Sequence, residues 1–503
     1  MTSFNISALR EAIDAPGLLR GAESLRSVEH LRVPQTTKTY LKAEISDEQF
    51  DQSTVEWQNG ASFPGALGAP FSAVVHSTYD ISTDTDIGKP KFEIQFSFNE
   101  HEPYVKHFEA GDAFYVVCPN AEIDVEFLLS RLDLTLKADL QIRLEKSDSN
   151  SEKDVPDYIP PLCSIRYMLT YCLDIRRVPG RPVIRALADY CKNTSERRRL
   201  LELCSIDGAK EFNTHVQAAS ISLIDLLIHF DSCTPPIERL IGSRFLFPLF
   251  SMCSLEILPR LLPRAYTVSS WDLYEKNRFR FVVSLMKTKG AQNGVMYTRY
   301  GLCSGYLKSL MNGDYVQMIA KEPSKFRFPL KVKPSLTLDQ VPIVMFGPGT
   351  GVAPFVAFLE RFRELQQLIE LNDTMKPVKR YLFYGSRDLE KEYVFKDDIE
   401  RLKKDGTITD LILCESKAEN EGTDRPRYIY DALRQQPDEF WDFLLSEPQP
   451  FIFACGDVKL MSRQLWECLT TIISEKQGIT KPEAIAILKR LRDQEYFIED
   501  VWG

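Results

Sequence analysis

No apolar run in this 503-residue sequence is long enough to cross a bilayer. The most apolar stretch, FLFPLFSMCSLEIL at 245–258, is too short and is broken by Pro248 and Glu256. The amino-terminal MTSFNISALREAIDAPGLLR lacks the apolar core of a secretory signal. Histidine is scarce at six residues, and the 11 cysteines are scattered from Cys118 to Cys468. No cysteines form a CxxC pair and none sits beside a histidine at zinc spacing, so no metal site is expected. This cysteine usage fits a reducing compartment better than a disulfide framework, and the chain reads as soluble and cytoplasmic. His76, His101 and His107 lie among apparent strands and read as hydrogen-bonded or surface residues. Positive charge is not in excess: 62 Lys and Arg against 71 Asp and Glu leave a net charge of −9. That excludes a global basic field for nucleic acid while leaving room for a local pocket for a phosphate ligand. Internal repeats and low-complexity segments are absent.

What is present is an ordinary globular composition, 44% hydrophobic and 26% charged. The length allows two to four domains of roughly 100–200 residues each. Residues 1–60 are polar and irregular and read as a tail or linker. Residues 70–145 alternate apolar and polar positions, as in KFEIQFSF and AFYVVCPN, the period of half-buried strands. From about 160 to 260 the spacing turns helical, as in IRALADYCKNTSERRRLLELCSIDGAKEF, with the charge run Arg197–Arg199 read as solvated helix surface. Strand patterns return over 262–330 in FRFVVSLMK and DYVQMIAKE. Beyond a boundary at KVKPSLTLDQ, strands VPIVMFG, KRYLFYG, TDLILCES and PFIFACG alternate with helical stretches. That alternation implies a parallel sheet with helices on both faces.

Several short stretches carry chemistry. MFGPGTGVAPF (345–355) joins a buried strand to a helix through three glycines and Thr350. Glycines allow close backbone approach and a helix start offers free N–H groups, which suits a pyrophosphate; a tight structural turn is the other reading. PRAYTVSS (263–270) sets Arg264 and Tyr266 on one strand face and Thr267 on the other. An arginine can hold phosphate and a tyrosine can stack on a flat ring. GLCSGYL (301–307) can begin a helix with Ser304 near a second phosphate. FIFACGDVK places Cys455 at the carboxyl end of a strand, where open α/β sheets bind ligands. Each stretch taken alone also serves as plain structure.

In chain order, RAYT, GLCS, GPGTGVAPF, YGSRDLEKEY, ACGDVKLM and the terminal EDVWG together resemble the FAD- and NADPH-binding half of the diflavin reductases, the group of cytochrome P450 reductase. The resemblance covers roughly residues 65–503. It implies a multi-domain fold like that of ferredoxin–NADP reductase. An antiparallel β-barrel FAD-binding domain at 65–335 carries an α-helical connecting insert at about 160–260, and a doubly wound α/β NADP-binding domain follows at 336–503. Residues 1–64 remain as linker or tail. Within the group, LDIRRVPGRPVIRALADY and ERRRLLELCSIDGAKEF are most similar to the methionine synthase reductases.

The resemblance also implies roles. Arg264 would meet the FAD pyrophosphate and Tyr266 the flavin, with Ala265 and Thr267 in the same motif; Gly301, Leu302, Cys303 and Ser304 would form a second FAD loop. Thr267, Cys455 and Asp500 match a Ser/Cys/Asp catalytic set beside the flavin that orients nicotinamide and steadies the transfer. Trp502 would lie over the flavin as a lid that swings aside for nicotinamide, the other reading being an indole that docks the tail in a core groove. On the NADP side stand Thr350, Arg387, Ser416, Lys417, Arg427, Tyr428, Ile429, Tyr430 and Gln464. Ser416 and Lys417 match a Ser-Arg pair that reads the 2′-phosphate. Lys417 loses the planar fork of arginine and keeps a point charge, which Arg427 can supplement. Gln464 stands where many relatives have Asp, and Gly503 replaces a final Ser.

The implied protein is an NADPH-dependent flavoprotein oxidoreductase with FAD and NADPH as cofactors. Its implied partner is methionine synthase, whose cob(II)alamin is reduced for reactivation. LRVPQTTK (31–38) resembles the family's interdomain hinge. What precedes the FAD module is shorter than the roughly 100–200 residues of a flavodoxin-like FMN domain. The FMN domain is therefore expected to be absent from this chain, with a separate flavodoxin-like FMN protein as a further candidate partner. No nucleic-acid or membrane partner is expected. Two rivals are a reductase of a haem or iron–sulfur partner and a non-catalytic chaperone that docks a cobalamin enzyme. The insert sequence argues against the first; Cys455, Asp500 and Trp502 argue against the second.

Overall fold

The structure is a computed structural model. It describes residues 16–36, 40–82, 89–98, 108–147, 154–241, 258–270, 278–292, 295–327, 341–368, 378–417, 425–446, 449–457 and 461–502. Expectations placed on His101, His107, most of 245–258, the boundary at 331–340, the side chain of Trp502 and Gly503 lie outside the described residues. Two compact units are present, one of residues 1–63, 118–263 and 287–306, the other of 64–117, 264–286 and 307–503.

The second unit holds two sheets. Six antiparallel strands form the first: β1 (Ala66–Asp80), β2 (Lys91–Phe98), β3 (Ala113–Val116), β4 (Arg264–Thr267), β5 (Arg278–Ser284) and β6 (Tyr315–Lys321). Their order is β4-β3-β6-β1-β2-β5. The two-residue period is plain in β2, where Phe92, Ile94, Phe96 and Phe98 are all buried. Phe96 stacks on Phe279 of β5 with ring centres 5.3 Å apart, and Phe114 of β3 meets the same ring at 5.0 Å. The edge strands approach each other, with the Ser269 N–H donating to the Arg280 carbonyl at 2.9 Å and Tyr266 stacked on Phe281 at 5.5 Å. The sheet is a near-closed barrel.

The second sheet is parallel: β7 (Ile343–Phe346), β8 (Arg380–Ser386), β9 (Asp410–Glu415), β10 (Phe451–Asp457) and β11 (Phe497–Trp502), in the order β9-β8-β7-β10-β11. Both faces are covered. Ile343, Met345, Phe453 and Cys455 join the core on one side, with helix Ala353–Leu368. Val344, Phe346, Ile452 and Ala454 join the core on the other, with helices Arg463–Gln477 and Lys481–Asp493. Burial on both faces explains why these strands read as unbroken apolar runs. Phe326, beyond β6, packs on Phe453 of β10 with ring centres 5.3 Å apart, so the two sheets share core. Two ion-pair sites add to that contact. Lys91 of β2 meets Glu392 at 2.6 Å, and Arg280 of β5 meets Asp398 at 2.9 Å while lying over the Phe395 ring.

The first unit is mainly helical around a core of its own. The long helical pattern of the sequence is divided into Arg181–Ala188, Thr194–Cys204 and Ala209–Phe212. The second helix starts where the Asn193 side chain accepts the N–H groups of Ser195 and Glu196. Two expectations need correction. Leu41–Gln49, read as linker, is a strand paired antiparallel with Leu140–Lys146. Arg199, read as solvated, is 4% exposed; it donates to the Leu18 carbonyl at 2.8 Å and pairs with Glu211 and Glu202 at 2.5 and 3.2 Å. All ten described cysteines are free thiols. Among the described residues, no helix is long and apolar enough to cross a membrane.

Candidate functional site

In the parallel sheet the strand order reverses between β7 and β10, at the crevice where open α/β sheets bind ligands. The loop leaving β7, Gly347 to Gly351, turns into helix Ala353–Leu368 at that crevice. Space requires two of its glycines and backbone conformation the third. A Cβ on Gly351 would stand 2.1 Å from the Cys455 carbonyl oxygen, and one on Gly347 would stand 2.8 Å from the Phe355 ring. Gly349 has φ +57°. The loop therefore lies flush on the end of β10 and presents the N-terminus of a long helix, with Thr350 half-buried in the turn. Bare backbone and a helix start form a cradle that fits a dinucleotide pyrophosphate.

Three side chains predicted to act together converge beside this crevice. Cys455 of β10 is fully buried and is the register partner of Asp500 on β11. Thr267, the last residue of β4 in the antiparallel sheet, hydrogen-bonds the Asp500 carboxylate through its hydroxyl. Burial, and then the charge of Asp500, push the Cys455 thiol well above its ordinary pKa, so it stays protonated. Burial also raises the Asp500 carboxyl, against the opposing pull of the Lys321 ammonium and the Thr267 hydroxyl. Lys321 ends β6 and was not singled out in the sequence; its strand pattern carries no signal for a contact with a carboxylate far along the chain. Glu499, next to Asp500, accepts from Ser462 Oγ at 2.8 Å and Trp466 Nε1 at 3.0 Å, which anchors β11. Trp502 ends that strand opposite Asp457.

The remaining predicted residues fall in three groups. Arg264 and Tyr266 are half-buried on β4 and Ala265 between them is exposed. In the other unit, Gly301 precedes helix Leu302–Ser309, with Cys303 and Ser304 buried and Ser304 Oγ donating to the Gly301 carbonyl at 3.5 Å. The third group gathers at the carboxyl ends of β8 and β9. Ser416 N–H donates to the Ser386 carbonyl at 3.0 Å, which brings the two strand ends together. Arg387 is exposed, and the Lys417 ammonium lies 3.1 Å from Asp388 Oδ2. Arg427 is exposed and lies over the Tyr428 ring, which stacks on Tyr430 at 5.1 Å. Ile429 is buried and opens helix Ile429–Arg434, and Gln464 is exposed on helix Arg463–Gln477. Asp388 was not singled out either. Burial pushes its carboxyl up, but Lys417 and the N–H groups of Glu390 and Lys391 outweigh this and hold it below the usual range. A buried thiol, a hydroxyl, a carboxylate and a glycine cradle at one crevice, with cations at the neighbouring strand ends, fit FAD and a nicotinamide dinucleotide. Among the described residues, no group of three or more His, Cys, Asp or Glu side chains is placed to hold a metal ion.

Two family models match the chain. Residues 83–306 match the family model described as FAD binding domain, and residues 345–465 match Oxidoreductase NAD-binding domain. The chain is 36% identical to a Caenorhabditis elegans protein named methionine synthase reductase, over 97% of this chain and 68% of that relative. It is 30% identical to the Rattus norvegicus protein of the same name, over 94% of this chain and 66% of the relative. An NADPH–cytochrome P450 reductase of Musca domestica is 26% identical over 79% of this chain and 54% of the relative. The chain spans about two thirds of the length of the two methionine synthase reductases it matches here.

Proposed function

We propose that this chain, which belongs to the methionine synthase reductase family of the diflavin reductases, is an NADPH-dependent flavoprotein oxidoreductase module that draws electrons from NADPH through FAD. The observation that carries the reading is the meeting of Thr267, Cys455 and Asp500 beside the glycine loop at the switch point of the parallel sheet. FAD, when bound, takes up the electron pair that the nicotinamide of NADPH carries. The chain's own residues would bind and orient. Arg264 would hold a phosphate bidentately, with Ala265 alongside and Tyr266 offering its ring to the flavin. The assignment of Gly301 to Ser304 to FAD rests on their motif alone. The Gly347–Gly351 loop, with Thr350, would hold the nicotinamide dinucleotide's pyrophosphate on free N–H groups. Arg387, Ser416, Lys417, Arg427, Tyr428, Ile429, Tyr430 and Gln464 would surround the adenosine end.

At the reacting end, the protonated Cys455 thiol would give a neutral, water-free wall against the ring. The Thr267 hydroxyl, held by Asp500, would fix the carboxyl's orientation, and Lys321 would partly offset the burial that raises its pKa. Trp502 would cover the ring until nicotinamide replaces it. Threonine in place of serine at 267 adds a methyl group and narrows the approach.

The downstream partner in this proposal is methionine synthase, which the relatives' name supports. NADPH gives two electrons and a cobalamin cobalt accepts one at a time, so a flavodoxin-like FMN carrier belongs to the route. The setting would be the cytoplasm, in keeping with the ten described cysteines, all buried free thiols. The test is an anaerobic absorbance spectrum of the chain with FAD, before and after one equivalent of NADPH. Bleaching of the flavin band is expected. A bound flavin that stays oxidised would turn the reading toward a docking protein, and no bound flavin would sink it.

A further inference from the structure

We propose that Asp388 sets how strongly this chain distinguishes nicotinamide dinucleotides with a 2′-phosphate from those without one. The inference rests on the dinucleotide site proposed above and refines it. Asp388 stands two residues beyond the end of β8 and is 1% exposed. Its Oδ1 accepts the N–H groups of Glu390 at 3.0 Å and Lys391 at 3.2 Å, which fixes the carboxylate in its turn. Its Oδ2 lies 3.1 Å from Nζ of Lys417, the cation that would read the 2′-phosphate. The Lys417 side chain keeps 30% of its surface exposed while that of Asp388 keeps 2%, so a ligand can reach the cation but cannot displace the acid into water.

The consequence is electrostatic. A phosphate monoester carries about −1.5 to −2 charges at neutral pH. It would approach a lysine whose charge is already matched by a fixed carboxylate, and it would itself be repelled by that carboxylate. A second acid braces the same turn. Glu415 accepts the Leu389 N–H at 3.0 Å, and its other oxygen is 3.4 Å from Arg425. Asp388 therefore works against the phosphate and leaves a dinucleotide with a free 2′-hydroxyl, which lacks that charge, unopposed.

Asp388→Asn keeps an oxygen for the turn and removes the charge; Asp388→Ser keeps a cap of a different shape. The readout is calorimetric binding of adenosine 2′,5′-bisphosphate and of 5′-AMP, which needs neither flavin nor turnover. In both variants the affinity ratio in favour of the bisphosphate is expected to rise about tenfold, corresponding to about 1.4 kcal/mol. The ratio of kcat/KM for flavin reduction by NADPH and by NADH should move in step. In the Asp388→Asn, Lys417→Ala double variant the gain should shrink to the part that direct repulsion by the carboxylate supplies, since the rest acts through Lys417. Weaker bisphosphate binding in Asp388→Asn and Asp388→Ser would overturn the proposal, because Asp388 would then be positioning Lys417 for the phosphate. An unchanged ratio would overturn it as well. Wild-type chain that binds neither nucleotide would sink the dinucleotide site itself, a different failure from a site that binds both without regard to Asp388.

Discussion

Cys455 and Asp500 stand opposite each other in register on adjacent parallel strands, and Asp500 takes a hydrogen bond from Thr267 of the other sheet. Two sheets of unlike topology therefore meet at one carboxylate. Removing that carboxylate should separate stability from activity. Burial raises the folded-state pKa of Asp500 above its unfolded value of about 3.9. A carboxyl raised in this way favours the fold fully below the unfolded pKa, and that contribution is lost as pH rises through the folded pKa. Asp500→Asn does not titrate, so its melting temperature should gain on wild type as pH rises from the unfolded pKa of about 3.9 through the raised folded pKa. Flavin reduction by NADPH should slow, by up to about a hundredfold, because the nicotinamide would lose its orientation. Thermal melts across that pH range and stopped-flow reduction check the two halves separately.

The glycine loop offers a paired test. Gly351→Ala would place a Cβ 2.1 Å from the Cys455 carbonyl, whereas at Gly349 a Cβ meets nothing within 4 Å. Gly349→Ala should therefore cost only the strain of φ +57°, about 1–2 kcal/mol. Gly351→Ala must move backbone against backbone, a loss of about 1–3 kcal/mol or more, and should also weaken nucleotide binding by lifting the loop from β10. Urea titrations and bisphosphate calorimetry of the two variants give the comparison. Equal effects would mean that the loop relaxes without disturbing β10.

Much of this was legible in the sequence, for identifiable reasons. The parallel sheet announced itself because Ile343 to Phe346 and Phe453 to Cys455 are buried from both faces, so their strands are apolar throughout. The site was legible only through six ordered motifs, each ambiguous alone. Strand Leu41–Gln49 was not legible, since Leu41 is its only buried residue and pairing with Leu140–Lys146 holds it. The burial of Arg199 depends on Leu18 and Glu211, which local spacing cannot report. Lys321 and Asp388 escaped for the same reason: their significance is a contact with Asp500 or Lys417, and contacts between distant segments leave no periodic trace.

Thiol reactivity should follow environment rather than number. Cys191 and Cys233 are opposite each other in a short antiparallel bridge of the helical unit. The contact with Cys233 lowers the pKa of the Cys191 thiol, while the same contact and burial push Cys233 up, whose own thiol donates to the Leu187 carbonyl at 3.4 Å. Cys455 is sealed and pushed up by burial. Among the described cysteines, iodoacetamide at neutral pH should therefore label Cys191 first and leave Cys455 untouched until the chain unfolds. Peptide mass spectrometry of a time course decides it. Early labelling of Cys455 would mean that the crevice opens to solvent.

The buried pair Lys91–Glu392 ties the two sheets together, with 10% and 7% of the side chains exposed and 2.6 Å between them. Glu392 ends the turn that Asp388 begins, its N–H donating to the Asp388 carbonyl at 2.8 Å, so the pair also steadies the turn that holds Lys417. Lys91→Met should leave the carboxylate buried without its cation, a loss of about 3–5 kcal/mol in urea unfolding. Replacing both partners with methionine should restore most of that loss, because removing both charges also removes their desolvation cost. If Asp388 owes its position to this pair, Lys91→Met should also shift the ratio of bisphosphate to AMP binding, and the double replacement should not return it. Stability that recovers in the double variant while the binding ratio stays altered would show that the ion pair serves the nucleotide turn rather than the strength of the fold. Recovery of both would assign the pair to stability alone.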